Sequence, residues 1–405
     1  MNFFETGKRP KIWDGKRSDR HCVRIGETYH GVDMSECLDL LKKLVAIPSV
    51  NPVYGGPGEK EMEAYVADFL SRAEIGFEVQ ETLPGRNNLI ARIGPKDAPA
   101  VLVEAHMDTV GVDGWLKGSP YELLEENGRY FGRGSCDTKA SLAVFMLLAQ
   151  KVSRHRESIK HALVFAATVD EESQQLGAFK LAERVEELNI VAAITGEPTR
   201  SCLITKHKGA CRYTIQSRGK AAHGSTPELG ENAIYKISRV VEKLERYAEL
   251  LSQEEGRDFI ERGSLNVGKI EGGIGFNIVP DRCVVDVDRR LGISESIEGA
   301  KEAIETIAQS EADTEVATFL ERPPLETDNE NWFPKALAES AKRAGIETAF
   351  REVAFMTNGV AYASAGVPTV VFGPGDIEQA HKVDEYIDAG EMEKSLSLLE
   401  RFFLS

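Results

Sequence analysis

Short β-type runs that alternate with helical segments constrain the fold of this chain more than any other feature. VLVEAH, ALVFAATV and IVAAIT are apolar runs of strand length, whereas MSECLDLLKKLVAI and TKASLAVFMLLAQKV place apolar residues at helical spacing. Strands that are separated by helices form open sheets with crossover connections. The sequence therefore predicts an α/β fold built on an open mixed sheet.

The middle of the chain has a different order of predicted elements. CRYTIQSRG, SLNVGKI, CVVDVDRRL and TEVATFL are typical of strands, and helical segments separate them in the order β-α-β-β-α-β. This order is the ferredoxin-like arrangement. We predict that residues 208–319 form a domain inserted into a first domain, which consists of residues 1–207 and 320–405.

Composition excludes several classes of partner. The net charge of −16 argues against nucleic acid or an anionic membrane surface as a partner. The cysteines are scattered and form no C-x-x-C pair, so we expect reduced thiols and no thiolate metal site. No run approaches the roughly 20 apolar residues that span a bilayer, and the N-terminal segment lacks the apolar core of a signal peptide. We therefore expect a soluble, cytoplasmic protein.

Histidines and acidic residues follow the predicted strands at one edge of the sheet, where open α/β sheets bind their ligands. His106 and Asp108 come at the end of VLVEAH, and alternate residues of an extended chain point to the same side. Asp137 precedes a helical run, where an aspartate suits the helix N-terminus. The other residues of this kind are Glu171, Glu172, Glu197 and His381.

These side chains form a nitrogen and oxygen ligand set. Such a set suits Zn²⁺ and also Mn²⁺ or Co²⁺. Two metal ions about 3.5 to 4 Å apart need a bridging carboxylate and roughly two further protein ligands each. The chain supplies that number, and the alternative is a group of solvated side chains at turns.

Six motifs occur in the order and spacing of a known family. They are HMDTV, GRGSCDTK, VDEES, ITGEPT, GKAAHGSTP and FGPGDIEQAHKVDE. The chain resembles the metal-dependent amidohydrolases and peptidases that include acetylornithine deacetylase, succinyl-diaminopimelate desuccinylase, aminoacylase and bacterial glutamate carboxypeptidase. The resemblance covers about residues 35–405 and implies a catalytic domain with an inserted lid or dimerisation domain, and two divalent metal ions per chain.

The resemblance implies a role for each candidate ligand. His106 and Glu197 would bind one metal ion, Glu172 and His381 would bind the other, and Asp137 would bridge them. Zn²⁺ is the expected ion, with Co²⁺ or Mn²⁺ as alternatives.

The resemblance also implies three residues with a catalytic role. Asp108 would orient His106, and Glu171 would be the general base that takes a proton from water and delivers it to the departing amine. His223 would stabilise the oxyanion across a dimer interface, which implies a homodimer formed through the lid. The alternative for His223 is a histidine at a surface turn.

Several residues match positions that contact substrate in the resembling family. Asn277 and Arg290 lie in the inserted segment, and Arg290 could grip a carboxylate or form an ion pair at a strand end. Thr357 lies in the segment MTNG. Gly373 and Gly375 could let backbone N–H groups approach the substrate, or could be ordinary turn glycines.

We predict a deacylase that cleaves the amide bond of an N-acyl amino acid, like acetylornithine deacetylase. The segment MTNG lacks the nearby arginine usual in desuccinylases, which disfavours a succinylated substrate. The alternatives are a metal-dependent dipeptidase or carboxypeptidase, and a non-catalytic binding protein of the same fold. The histidines that match no motif are predicted to be surface residues; they are His21, His30, His155, His161 and His207.

Overall fold

The computed structural model describes residues 34–253, 257–388 and 390–405. The helices in these ranges are α1 (Met34–Val45), α2 (Lys60–Arg72), α3 (Lys139–Ser153), α4 (Leu176–Ala182), α5 (Ala233–Ser252), α6 (Ile297–Gln309), α7 (Trp332–Arg343), α8 (Gly359–Ser364) and α9 (Glu391–Phe403). The strands are β1 (Glu78–Leu83), β2 (Arg86–Ile93), β3 (Ala100–His106), β4 (Leu124–Glu126), β5 (Arg129–Phe131), β6 (Ala162–Thr168), β7 (Ile190–Thr195), β8 (Leu203–His207), β9 (Gly209–Arg218), β10 (Ser264–Gly272), β11 (Arg282–Leu291), β12 (Thr314–Arg322), β13 (Leu325–Glu326), β14 (Phe350–Val353), β15 (Thr369–Val371) and β16 (Tyr386–Asp388). The predictions for His21 and His30 fall outside the described residues.

A large mixed sheet carries the ends of the strands from which the candidate ligands follow. Its order is β1-β2-β6-β3-β7-β15-β8-β13, and β14 also pairs with β8. β6, β3, β7 and β15 are parallel neighbours, whereas β2 runs antiparallel to β6. Every residue of β3 is buried, as expected for a strand that is covered on both faces. The predicted open mixed α/β sheet is confirmed.

Helix α3 covers one face of this sheet beneath the strand ends. Its sequence is apolar on all sides, and all of its residues except Gln150 and Lys151 are buried. It packs on β3 and against α1 and α9. The helix begins at Lys139 with Thr138 as N-cap, so Asp137 lies just outside the helix and does not cap it.

The inserted segment folds as the sequence predicts. β9, α5, β10, β11, α6 and β12 follow one another, and the strands form an antiparallel sheet in the order β10-β11-β9-β12. Alternate residues of β11 are buried, and Cys283, Val285 and Val287 pack in a common core with residues of α5 and α6. We call this ferredoxin-like unit the lid. The domain boundaries at residues 208 and 319 stay a prediction.

A small sheet that the sequence did not predict lies near the loop before α3. Its order is β16-β5-β4. These strands are three residues long, β4 is exposed throughout and the other two are partly exposed, so they carry no clear periodicity. The pairing of β16 with β5 brings the segment after His381 beside the segment before Asp137.

The predicted surface position of His207 is wrong, because this residue is fully buried at the end of β8. Its Nδ1 lies 2.9 Å from the carbonyl oxygen of Lys208, and its Nε2 lies 3.3 Å from Oγ1 of Thr357. Strand β8 was not recognised in the sequence, and its pairing with β13, β14 and β15 buries the histidine. His155 is exposed, and His161 is half-buried and stacks on Trp332.

Neither disulfides nor a membrane-spanning helix occurs in the described part of the chain. The described cysteines are free thiols, and all of them except Cys202 are buried. No helix within the described ranges combines the length and the apolar character needed to cross a bilayer.

Candidate metal centre

A first group of candidate ligands surrounds His106 at the end of β3. Its Nε2 lies 3.3 Å from Oδ1 of Asp137 and 3.9 Å from Oε1 of Glu197. All three side chains are buried, and one potential ligand atom from each lies within 4.8 Å of the others. One imidazole and two carboxylates at this spacing can hold a divalent metal ion.

A second group shares Asp137 with the first. Nε2 of His381 lies 3.3 Å from Oδ2 of Asp137 and 3.1 Å from Oε2 of Glu172. The side chain of His381 is 56% exposed, whereas that of Glu172 is 5% exposed. Asp137 therefore offers one carboxylate oxygen to each group, and the second group is the one open to solvent.

Parallel strands bring these residues to one edge of the sheet. His106 ends β3, Glu172 follows β6, and Glu197 follows β7, while His381 lies on the loop after β15. Since these strands are parallel neighbours, their carboxyl ends meet at the same edge. Sequence reasoning predicted this placement from the ends of the apolar runs.

The polar atoms of the centre fit a bound cation. In the described part of the chain, Nε2 of His106 and Oε1 of Glu172 are buried and make no hydrogen bond. Buried polar atoms nearly always have a partner, and a metal ion supplies one for both nitrogen and carboxylate oxygen. The donor set thus fits two divalent ions with Asp137 between them.

The electrostatics of the centre also fit bound cations. Burial raises the pKa of Glu197 well above its usual range, and the negative charge of Asp137 raises it further. Burial likewise raises the pKa of Glu171 to about 8. The side-chain contact with Asp137, followed by that with Glu172, raises the pKa of His381 to about 11. Divalent cations would offset the repulsion among these carboxylates.

Asp108 organises both His106 and the glutamate pair. Its backbone carbonyl oxygen lies 3.0 Å from Nδ1 of His106, and its carboxylate Oδ1 lies 3.6 Å from the same nitrogen. An Nδ1–H that donates to this carbonyl leaves Nε2 free to face the candidate metal position. The Asp108 carboxylate also accepts the backbone N–H groups of Glu171 at 3.1 Å and Glu172 at 3.0 Å.

Sequence reasoning missed a buried polar network behind the two glutamates. Arg86 donates to Glu59 over 2.7 Å and to Asp170 over 2.9 Å. Asn51 donates to the Asp108 carboxylate over 2.8 Å. Asp170 directly precedes Glu171 and has a left-handed backbone with φ of 73°. The network therefore supports the turn that presents the glutamates, and no spacing in the sequence signals it.

The structure places His223 and Asn277 together at one end of the lid, and both are exposed. The backbone of His223 pairs with Ile278, and Gly224 donates its N–H to the carbonyl of Asn277 over 2.7 Å. Nδ1 of His223 lies 2.7 Å from Oγ of Ser225. Among the described residues, no hydrogen bond or ion pair joins either side chain to the metal groups.

The two remaining polar candidates have protein partners in the structure. Arg290 makes a bidentate ion pair with Asp288, with N–O distances of 2.7 and 3.1 Å, which is the alternative weighed for it. Thr357 is fully buried, and its hydroxyl accepts the N–H of Gly359 over 3.1 Å and contacts His207. Their roles in substrate binding stay predictions.

Close packing accounts for the two candidate glycines. A Cβ atom at Gly373 would lie 2.6 Å from the carbonyl oxygen of Glu197. Gly375 has φ of 90°, and a Cβ atom there would lie 2.6 Å from Sγ of Cys136. Both positions therefore require glycine to bring the loop after β15 against segments that carry or flank the candidate ligands.

Comparison with known proteins identifies the class. The sequence model of peptidase family M20/M25/M40 matches residues 102–405. An acetylornithine deacetylase of Myxococcus xanthus is 31% identical over 326 residues, which cover 78% of this chain and 82% of the relative. A protein assigned as a succinyl-diaminopimelate desuccinylase of Mycobacterium tuberculosis is 28% identical over 353 residues, which cover 85% of this chain and 94% of the relative.

Two solved structures have the same fold as this chain. A family M20 metallo-carboxypeptidase of Sulfolobus solfataricus has a TM-score of 0.76 at 19% identity, covering 92% of this chain and 98% of its own. A dinuclear metal-binding peptidase of family M20 from Bacillus subtilis has a TM-score of 0.66 at 16% identity, and the match covers 91% of this chain and 97% of the peptidase.

The relatives define the class as metal-dependent hydrolases that act on amide bonds. The chain belongs to peptidase family M20/M25/M40. The resemblance drawn from the six motifs is thereby confirmed.

Proposed function

We propose that this enzyme hydrolyses the amide bond of an N-acyl amino acid and releases a carboxylic acid and a free amino acid. The observation that carries the proposal is the shared carboxylate of Asp137, which serves two histidine-containing ligand groups beside a further glutamate, Glu171. The relatives named acetylornithine deacetylase support an acyl amino acid as substrate.

The proposed ligands divide into two sets that share Asp137. His106 and Glu197 complete one set, and Glu172 and His381 complete the other. Two divalent ions bound there would make a water molecule acidic enough to lose its proton near neutral pH and would polarise the scissile carbonyl. Zn²⁺ is the proposed ion because imidazole and carboxylate ligands suit it, and Co²⁺ or Mn²⁺ could take its place.

Glu171 is the proposed general base. Within the described residues it belongs to neither ligand group. Its backbone N–H is held by Asp108, and its Oε1 accepts a hydrogen bond from Gln175 over 3.1 Å. A carboxylate fixed in this way can take the proton of the attacking water and then deliver it to the departing amine.

The test of this role is Glu171→Gln, which keeps the shape of the side chain but removes its basicity. We expect the turnover of an N-acetyl amino acid to fall by roughly 10²- to 10⁴-fold, with an unchanged metal content. Glu183→Gln is the matched control because Glu183 is an exposed glutamate that follows α4. Unaltered turnover in Glu171→Gln would overturn the mechanism.

A substrate panel tests the proposed reaction separately. N-acetyl amino acids and dipeptides are offered to the enzyme with added Zn²⁺, Co²⁺ or Mn²⁺. Cleavage of N-acetyl amino acids is the expected result. Activity confined to dipeptides would replace the proposed deacylase by a dipeptidase that uses the same centre.

We further propose a homodimer in which His223 stabilises the oxyanion in the partner's site. The loop that carries Asn277 also exposes apolar side chains to solvent, with Phe276 fully exposed and Ile274 87% exposed. Exposed apolar side chains that lie together in one patch are typical of protein interfaces. A second copy of the chain would cover them.

Complementation between inactive variants tests the shared site. Chains with His223→Ala and chains with Glu171→Ala are mixed under conditions that allow subunits to exchange. Partial recovery of activity is expected, because one of the mixed sites would contain both native residues. No recovery despite proven exchange would favour a site completed within one chain.

A further inference from the structure

Glu385 is a fully buried acidic residue four positions after His381, on the segment that leads into β16. Its Oε1 accepts the backbone N–H groups of Cys136 at 2.8 Å and Asp137 at 2.9 Å. Its Oε2 accepts the N–H of Gly134 at 3.0 Å and a guanidinium N–H of Arg133 at 2.6 Å. One carboxylate thus binds nearly every residue from 133 to 137.

The contacts around this carboxylate favour its charged form, against the effect of burial, which raises its pKa. All hydrogen bonds that the described residues make to it are donated by N–H groups, so a proton on either oxygen would face a donor. Successive backbone N–H groups that converge on an anion form a nest, which favours negative charge. The side chain of Arg133 is only 2% exposed and places its positive charge beside Oε2 of Glu385.

The same residues connect the loops around the metal centre. Arg133 also donates from Nε to the carbonyl of Gly111 over 3.0 Å, on the loop that follows β3 and Asp108. The backbone carbonyl of Glu385 accepts the N–H of Gly132 over 3.2 Å. The segment before Asp137, the segment after His381 and the loop after β3 are therefore joined at one buried ion pair.

We infer that Glu385 is a positioning residue for the metal centre. It fixes the backbone of Asp137 so that each carboxylate oxygen faces one histidine, and it fastens that segment to the segment that carries His381. Among the described contacts its carboxylate touches no side-chain ligand atom, so it acts through the backbone. This inference rests on the proposed ligand set.

Glu385→Gln separates this role from a general contribution to packing. The amide oxygen can still accept two N–H groups, but the amide NH₂ then faces the other two donors and the segment must shift. We expect the affinity for Co²⁺ to fall by roughly 10- to 100-fold, as is typical when a residue that orients metal ligands is lost. Asp388→Asn is the matched control because Asp388 lies on the same segment in an exposed ion pair with Arg129.

The measurement is equilibrium dialysis of the metal-free proteins against Co²⁺, together with the visible absorption spectrum of the Co²⁺-loaded forms. Weaker binding and an altered spectrum in folded Glu385→Gln, with wild-type values in Asp388→Asn, support the inference. A purely structural role would lower the melting temperature of the metal-free protein but leave the affinity and the spectrum of the folded protein unchanged. That result would overturn the inference.

Two further variants complete the design. If Glu385→Gln does not fold, Arg133→Lys is tested in its place, because lysine keeps the charge but cannot reach both Glu385 and Gly111. A weaker affinity of this variant for Co²⁺ supports the inference, and an unchanged affinity overturns it. Asp137→Asn tests the ligand set by itself. Wild-type Co²⁺ binding in that variant would overturn the proposed ligands, whatever Glu385→Gln does.

Discussion

Acidification should destabilise this protein through His207, because the imidazole is buried in its neutral form. Nδ1–H donates to the carbonyl of Lys208, and Nε2 accepts from the hydroxyl of Thr357. Burial is the main reason that the pKa of His207 falls to about 4 from its usual value of 6.5; backbone hydrogen bonds oppose this shift, and the positive charge of Arg290 contributes to it. Protonation would place a charge in this buried position and break the contact at Nε2.

The sign and size of the effect follow from the two pKa values. Between pH 6.5 and pH 4 the unfolded chain binds a proton that the folded protein excludes, so the free energy of unfolding falls as the pH falls. The contribution is fully present above the unfolded pKa and is lost as the pH drops towards the folded pKa. The full difference between the unfolded and folded pKa values contributes about 3 kcal/mol to the free energy of unfolding, of which about 2 kcal/mol is lost by pH 5.

Urea unfolding at pH 8 and pH 5 measures this loss in the wild type and in His207→Gln. EDTA is present throughout so that metal binding does not contribute. Wild-type protein should lose about 2 kcal/mol more than His207→Gln between the two pH values, because glutamine does not titrate. His155→Gln removes an exposed histidine and should follow the wild type. Equal losses in the wild type and in His207→Gln would show that His207 does not cause the loss of stability at low pH.

Three further outcomes are expected. Gly373→Ala should weaken Co²⁺ binding in equilibrium dialysis, because the new Cβ would lie 2.6 Å from the carbonyl oxygen of Glu197. Gly76 has open space around it, so Gly76→Ala should leave Co²⁺ binding unchanged. Phe145→Ala should lower the free energy of unfolding, measured in urea, by about 3 to 5 kcal/mol, since the ring of Phe145 is fully buried. Phe319 is 44% exposed, so Phe319→Ala should lower the free energy of unfolding much less. Zn²⁺ at about 100 times its dissociation constant should raise the free energy of unfolding by about 2.7 kcal/mol over protein in EDTA, and no rise would contradict metal binding by the folded state.

The parts of the fold that the sequence predicted are those with strong periodicity. VLVEAH is a continuous apolar run, so both the strand and the position of His106 at its end were predictable. β8 was missed because LITKH is short and mixes apolar residues with lysine and histidine. The burial of His207 was missed with it.

Residues that support the candidate site were harder to predict. Glu59 and Arg86 form their ion pair only after the fold brings α2 and β2 together, and neither stands in a motif. Glu385 stands in the motif around His381, yet its contacts with the backbone near Asp137 depend on the pairing of β16 with β5. Long-range polar contacts of this kind leave no periodic signal in a sequence.

The unequal burial of the two ligand groups has a consequence for metal exchange. The group around His106 is closed to solvent, whereas His381 in the other group is 56% exposed. An ion bound by the open group would lie closer to solvent, so it should exchange with solution faster than its neighbour. Brief chelation followed by a second metal should therefore yield protein with two different ions in a defined order.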